Sequence, residues 1–215
     1  MARVTAMTLI LSGTVCIGSF TLRTEVSADN EIIAITGANG VGKTTLLRLL
    51  AGIVNLTTGS LLIDGVTYDD ATTDIFVPAN RRGVSMVFQN ETLLPFLSVR
   101  DNIAFPLRMS GMSRSKSREV ARDAILSHGL SKLADLMPND LSGGQAQRVA
   151  LVRAFINTPK IILLDEPLSA LDEKARPELR SLLREQMSAV AGYKFIVTHD
   201  RQDVEKICDR EIRLN

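Results

Sequence analysis

An α/β fold with a largely parallel sheet is the class this sequence predicts, and three observations predict it. Short apolar runs rich in branched residues alternate with helical patterns, as strands crossed by helices do. A glycine-rich loop, Gly37 to Gly42, stands between one such run and a helix, and a later run closes on the acid pair Asp165-Glu166. At 215 residues the chain has room for one ordinary domain, alone or with a small lobe. Its 45% hydrophobic and 23% charged residues are a globular mixture, which excludes a disordered, collagen-like or disulfide-scaffold chain.

The first apolar stretch, Met7 to Phe20, is interrupted by Ser12, Gly13 and Thr14, which predicts two strands joined by a turn there rather than a secretion signal. Ile32 to Thr36, Val84 to Phe88, Ile161 to Leu164 and Phe195 to Thr198 are short, apolar and branched, as strands covered on both faces are. Lys43 to Ala51 carries Leu46, Leu47, Leu49 and Leu50 and stops at Gly52, the pattern of a helix with a glycine after its last turn. A second apolar stripe, Leu179, Leu182, Leu183 and Val190, ends before Gly192. From about 91 to 141 no strand pattern occurs; Pro95, Pro106 and Pro138 punctuate the stretch, and Val120, Ala124 and Ile125 face one way. This part reads as a helical insert, and its basic run Ser113 to Arg122 as a solvated helix face. No run approaches the ~20 apolar residues of a membrane-spanning helix.

Charge and cysteine usage narrow the function classes. Lys and Arg number 25 against 24 Asp and Glu, so the basic surplus on which nucleic-acid binding usually rests is missing and no nucleic-acid partner is expected. Cys16 and Cys208 lie far apart in sequence and support neither a disulfide nor a four-ligand zinc site, which makes a reducing cytosol the expected compartment.

Gly37-Ala38-Asn39-Gly40-Val41-Gly42-Lys43-Thr44 matches the phosphate-binding loop pattern and lies where that chemistry needs it, between a strand and a helix. Glycines let backbone N–H groups turn toward phosphate oxygens, and the helix start adds a partial positive charge worth about 0.3 to 2 kcal/mol. Lys43 adds a full charge for the β- and γ-phosphates, and the Thr44 hydroxyl is a ligand for Mg²⁺. The run Ile161 to Leu164 delivers Asp165 to the carboxyl edge of a sheet, where it would anchor Mg²⁺. Glu166, one residue on, would orient or deprotonate a water for in-line attack on a γ-phosphate. Leu141-Ser142-Gly143-Gly144-Gln145 opens the helical pattern of Val149, Val152 and Phe155 and forms a second anion-binding helix start.

With these segments in order, and with Gln89 after the strand Val84 to Phe88, Ser169-Ala170-Leu171-Asp172 after the acid pair, and His199 at a strand end, the chain resembles the ATP-binding subunit of an ABC transporter over nearly its whole length. The resemblance implies a single ATPase domain over 1–215: a P-loop NTPase with a RecA-like core, an antiparallel β-subdomain from the N-terminal strands, and an α-helical subdomain at about 91–155. It also implies ATP and Mg²⁺ as cofactors. The nucleotide would be held by residues 37–44 with Thr45, and a second copy of the chain, head to tail, would close Ser142, Gly143, Gly144 and Gln145 over it. Gln89 would contact Mg²⁺ or the attacking water, His199 the γ-phosphate, and Asp172 would cross the dimer interface. One departure stands out: about two dozen positions before the phosphate loop, where such proteins commonly stack an aromatic on adenine, this chain has Thr14 and Val15. Phe20 is the only nearby ring, and its alternation with Leu22 predicts packing inside the β-subdomain.

Further partners follow from the same resemblance. The segment Glu91 to Arg100, with Leu93, Leu94, Pro95, Phe96 and Leu97 directly after Gln89, is placed like a groove that receives a helix from transmembrane permease subunits. The segments 96–103 and 165–172 resemble those of importers for molybdate, sulfate, thiamine, iron or sugars, with an extracytoplasmic solute-binding protein in the complex. The expected location is the cytoplasmic face of the inner membrane. An exporter or lipoprotein-release ATPase, or a soluble ABC ATPase outside transport, is the alternative.

Overall fold

Nine-residue stretches whose side chains alternate between buried and exposed form the N-terminal strands, while five-residue stretches, buried at every position but Thr36, form the central ones. The computed structural model describes residues 7–88, 93–169, 171, 173 and 176–215. The elements run β1 (Leu9–Ile17), β2 (Phe20–Ala28), β3 (Ile32–Thr36), α1 (Lys43–Ala51), β4 (Thr58–Ile63), β5 (Val66–Asp70), β6 (Ile75–Phe76) and β7 (Val84–Val87). Then follow α2 (Val99–Met109), α3 (Arg114–Ser127), α4 (Gly143–Phe155), β8 (Ile161–Asp165), α5 (Arg176–Ala189), β9 (Tyr193–Val197), α6 (Arg201–Ile207) and β10 (Arg210–Arg213).

The strands make two sheets. One is antiparallel in the order β2-β1-β4-β5-β6, and the other is parallel in the order β10-β3-β9-β8-β7. Helix α1 lies in the core that they share: Leu46, Leu47, Leu49 and Leu50 are fully buried among Leu11, Val26 and Leu61 of one sheet and Ile33, Leu163 and Phe195 of the other. The leucines of α1 fill the core while Arg48 stays exposed on its remaining face, and truncating one of these leucines to alanine costs about 2 to 5 kcal/mol. On the opposite face of the parallel sheet α4, α5 and α6 pack through Leu151, Phe155, Leu179, Leu183 and Ile207. Helices α2 and α3 form a third cluster against Val149 and Val152 of α4, so α4 ties these helices to the sheet. Among the described residues no helix is long and apolar enough to cross a membrane.

The turn expected at Ser12-Gly13-Thr14 is not there. Strand β1 runs straight through, and the chain reverses at Gly18-Ser19, where Gly18 takes φ 58°. Gly13 serves close approach instead: it pairs with Gly59 of β4, and a Cβ on it would lie 2.2 Å from the Thr58 carbonyl oxygen. Pro106 sits inside α2, and the loop before that helix is held by Asn102, fully buried, whose amide donates to the Leu94, Leu97 and Ser98 carbonyls and accepts from the Leu94 N–H.

Candidate active site

Three neighbouring parallel strands end at one edge of the sheet and deliver the chemistry there. Strand β3 leads into residues 37–42 and α1, β9 leads to His199, and β8 ends at Asp165. Gly42 caps α1 with φ 108°, and a Cβ on it would meet Phe20 Cζ at 3.0 Å and Leu22 Cδ1 at 3.1 Å, so only glycine lets the loop pass under these side chains. Lys43 folds back along the loop and donates to the Gly37 and Ala38 carbonyls, at 2.9 Å each. Asn39, Gly40, Gly42, Lys43, Thr44 and Thr45 line a cleft of about 760 Å³ together with Asp165, Glu166 and His199. Val41 leaves the cleft and packs on the core.

The Thr44 hydroxyl donates to Asp165 Oδ2 at 2.9 Å. Burial pushes the Asp165 carboxyl above the ordinary carboxylate range; the Thr44 hydrogen bond opposes the shift, and the Glu166 charge adds to it. A hydroxyl and a carboxylate side by side are hard oxygen donors that suit Mg²⁺, which keeps its other positions for phosphate and water. Among the described residues there is no cluster of three or more His, Cys, Asp or Glu to hold a metal otherwise. Glu166 has φ 48°, a left-handed conformation that side chains rarely adopt, and its N–H donates to the Val197 carbonyl at 2.9 Å. That turn aims its carboxylate across the sheet edge, where Oε1 lies 3.2 Å from His199 Nδ1. The His199 side chain is 68% exposed, open to a ligand in the cleft.

Other expected site residues lie apart. Ser142 caps α4, its hydroxyl accepting from the Gln145 N–H at 3.3 Å while Gln145 Oε1 accepts from the Ser142 N–H at 2.9 Å. Ser142 and Gly143 are exposed, and Gly144 and Gln145 half-buried, yet none of the four lines the cleft of its own chain. Gln89 and Asp172 fall outside the described residues. Phe20 corrects the expectation that it is only a packing residue: it packs on the shared core and also lines the cleft beside Gly42. Alternation along β2 carried the first fact, whereas the second needed the path of the loop over the hairpin. A further residue that sequence reasoning missed is Arg82. Its fully buried guanidinium donates to the Leu49 carbonyl at 2.8 Å, at the C-terminal end of α1, and to the Val77 carbonyl, and pairs with Asp69.

Sheet order and cleft together define a P-loop nucleoside-triphosphatase fold, the α/β class expected. A family model described as "ABC transporter" matches residues 23–169. The chain is 41% identical over 198 residues to the Fe(3+) ions import ATP-binding protein FbpC 1 of Rhizobium meliloti (strain 1021), covering 91% of this chain and 54% of that protein. It is also 41% identical over 187 residues to a spermidine/putrescine import ATP-binding protein PotA of Haemophilus influenzae, covering 86% of this chain and 48% of that one. Among solved structures, the dimeric post-hydrolysis state of the ATP-binding cassette MJ0796 bound to ADP and Pi matches with a TM-score of 0.78 at 30% identity, over 97% of this chain and 94% of the other. The chain therefore belongs to the ABC transporter family. It spans about half the length of the two import proteins.

Proposed function

We propose that this chain is the ATP-hydrolysing subunit of an uptake transporter, acting as one ATPase domain with α2, α3 and α4 as its helical part. The observation that carries the reading is the single cleft in which the phosphate loop, the Thr44–Asp165 pair and the Glu166–His199 pair face one another. Residues 37–45 wrap the phosphates, and Lys43 turns its donors from the Gly37 and Ala38 carbonyls to phosphate oxygens. Thr44 and Asp165, with Gln89, would hold Mg²⁺, which would supply neutralisation of the phosphate charge. Glu166 orients the attacking water and takes its proton, and His199 steadies the γ-phosphate across from it.

Because Ser142 to Gln145 stand outside the cleft of their own chain, a second copy is the natural source of the signature helix start, with Asp172 crossing between the copies. The match to a dimeric cassette supports this arrangement. Permease subunits would dock on an open groove of about 660 Å³ between β7, the C-terminal half of α2 and residues 153–160, where Met86, Phe105, Pro106 and Met109 are apolar. Of the segment expected to form it, Leu93 packs within the α2–α3 cluster, and Phe96 is 70% exposed and is not among the residues that line the groove. The chain would then sit peripherally on the cytoplasmic face of the inner membrane.

Uptake rather than export is supported by the import proteins among the relatives. A finer placement in the molybdate, sulfate or thiamine branch, with an extracytoplasmic solute-binding protein in the complex, rests on segments 96–103 and 165–172 alone. Co-expression with the membrane subunits encoded beside it tests the reading. The chain should co-purify with them in detergent and drive solute into vesicles on addition of Mg-ATP. Stable failure to associate, with no hydrolysis in either state, would refute it.

A further inference from the structure

Arg176 is the first described residue of α5, two positions before Glu178. The side chain of Arg176 reaches away from its own helix. Its Nε donates to the Leu171 carbonyl at 3.1 Å, and its two terminal nitrogens lie 3.5 Å from the Ser169 carbonyl and from Asp200 Oδ2. One turn on, Arg180 is buried and is held by Asp200 and Asp203 at 2.5 Å each, so the cations and carboxylates balance. The Thr198 hydroxyl donates to Asp203 at 2.9 Å, which fixes the backbone on one side of His199, and Asp200 fixes it on the other.

These contacts close a ring. Ser169 Oγ donates to the Glu166 carbonyl at 2.9 Å, Arg176 links Ser169 and Leu171 to Asp200, and His199, next to Asp200, returns to Glu166 at 3.2 Å. Glu166, Ser169, Arg176, His199 and Asp200 also border one small recess that shares Glu166 and His199 with the cleft. Glu166 is held in a left-handed conformation, so its aim depends on the surroundings that keep it there.

We propose that Arg176 is a positioning residue for ATP hydrolysis, locking the loop that follows Glu166 to the strand end that carries His199 so that the two side chains face the γ-phosphate together. The proposal rests on the roles given above to Glu166 and His199. Arg176 touches neither nucleotide nor metal in this scheme, so its loss should act on turnover and leave binding alone. Misplacement of reacting groups by about 1 Å costs on the order of a hundredfold in rate, and loosening one link of the ring should cost about tenfold or more.

The test is the steady-state kinetics of the full chain, with wild type, Arg176→Met, Arg176→Lys and Glu166→Gln compared under Mg-ATP. Arg176→Met is expected to lower kcat about tenfold or more, to keep KM for ATP within about twofold, and to keep the thermal midpoint. Arg176→Lys, which can hold Asp200 and one carbonyl but lacks the fork for both, should fall between Met and wild type. Wild-type kcat in Arg176→Met overturns the proposal, and so does a loss of kcat, KM and midpoint together with lysine no better than methionine. If Arg176→Met does not fold, Arg176→Lys decides alone: a lowered kcat at unchanged KM supports the positioning role and a wild-type kcat overturns it. An inactive Glu166→Gln beside a fully active Arg176→Met removes the proposal only, whereas a fully active Glu166→Gln removes the site reading on which it stands.

Discussion

Phe20 stands where packing and recognition meet. Its ring tip would lie 3.0 Å from a Cβ on Gly42, which has the left-handed φ of 108°, and it forms part of the cleft lining beside the phosphate loop. The absence of an aromatic at Thr14 and Val15 therefore does not leave the cleft without a ring. Stacking of a base on an aromatic contributes about 1 to 3 kcal/mol, so Phe20→Ala should weaken ATP binding by about tenfold with the fold retained, as measured by titration calorimetry and circular dichroism. Unchanged affinity would return Phe20 to a packing role. At this scale the sequence was most informative where function is contiguous. Gly37 to Thr44 and Asp165-Glu166 are short strings whose residue types state their chemistry, and the structure brings them within hydrogen-bond reach through Thr44 and Asp165. Arg82 and Asn102 were illegible because a buried polar residue is explained by its partners. Those of Arg82, such as the Leu49 carbonyl, lie far off along the chain.

Among the elements, α1 shows how one helix is held from both ends. Its first turn belongs to the phosphate loop, and its last is closed by Gly52 at φ 75°, whose N–H bonds to the Arg48 and Leu49 carbonyls. Arg82 satisfies the same end from the side, so a Cβ on Gly52 would lie 2.4 Å from the Arg82 Nε. Gly52→Ala should destabilise the protein by about 3 kcal/mol, the sum of a left-handed alanine and a disturbed buried guanidinium. Urea unfolding measures this directly, and a loss under about 1 kcal/mol would show that Arg82 can move aside. Strands buried on both faces were readable from their apolar runs, and β3 spans the residues expected. Strand β10 was missed because Arg210, Glu211 and Arg213 lack an apolar pattern; it pairs with β3 at the edge of the sheet, where charge is tolerated. Strand β1 was broken in the wrong place because glycine reads as a turn unless a close-packed neighbour is known.

On the scale of the whole molecule, the cleft takes no residue from Ser142 to Gln145 of its own chain. The signature helix start is exposed and already capped by its own Ser142–Gln145 pair, so in the free chain it is a finished surface waiting for an anion rather than an unsatisfied end. Ser142→Arg places a bulky cation against the positive end of α4 and fills the space meant for a phosphate from a second copy. This variant should bind ATP as the wild type does and remain a monomer with Mg-ATP in sedimentation velocity. An ATP-dependent dimer would contradict the head-to-tail arrangement. The second copy was legible only through the family resemblance carried by residues 141–145, since relations between separate chains leave no periodicity within one.

In the proposed reaction Glu166 acts on water, while the other groups of the cleft bind and orient. Glu166→Gln keeps the size and the hydrogen-bonding capacity and removes the charge that takes the proton, a contribution of about 10²- to 10⁴-fold for a positioned base. The decisive measurement is phosphate release at saturating Mg-ATP by wild-type and Glu166→Gln chains, with nucleotide occupancy read in the same samples. Full occupancy with release slowed by at least about a hundredfold is the predicted result, and release at the wild-type rate would contradict it.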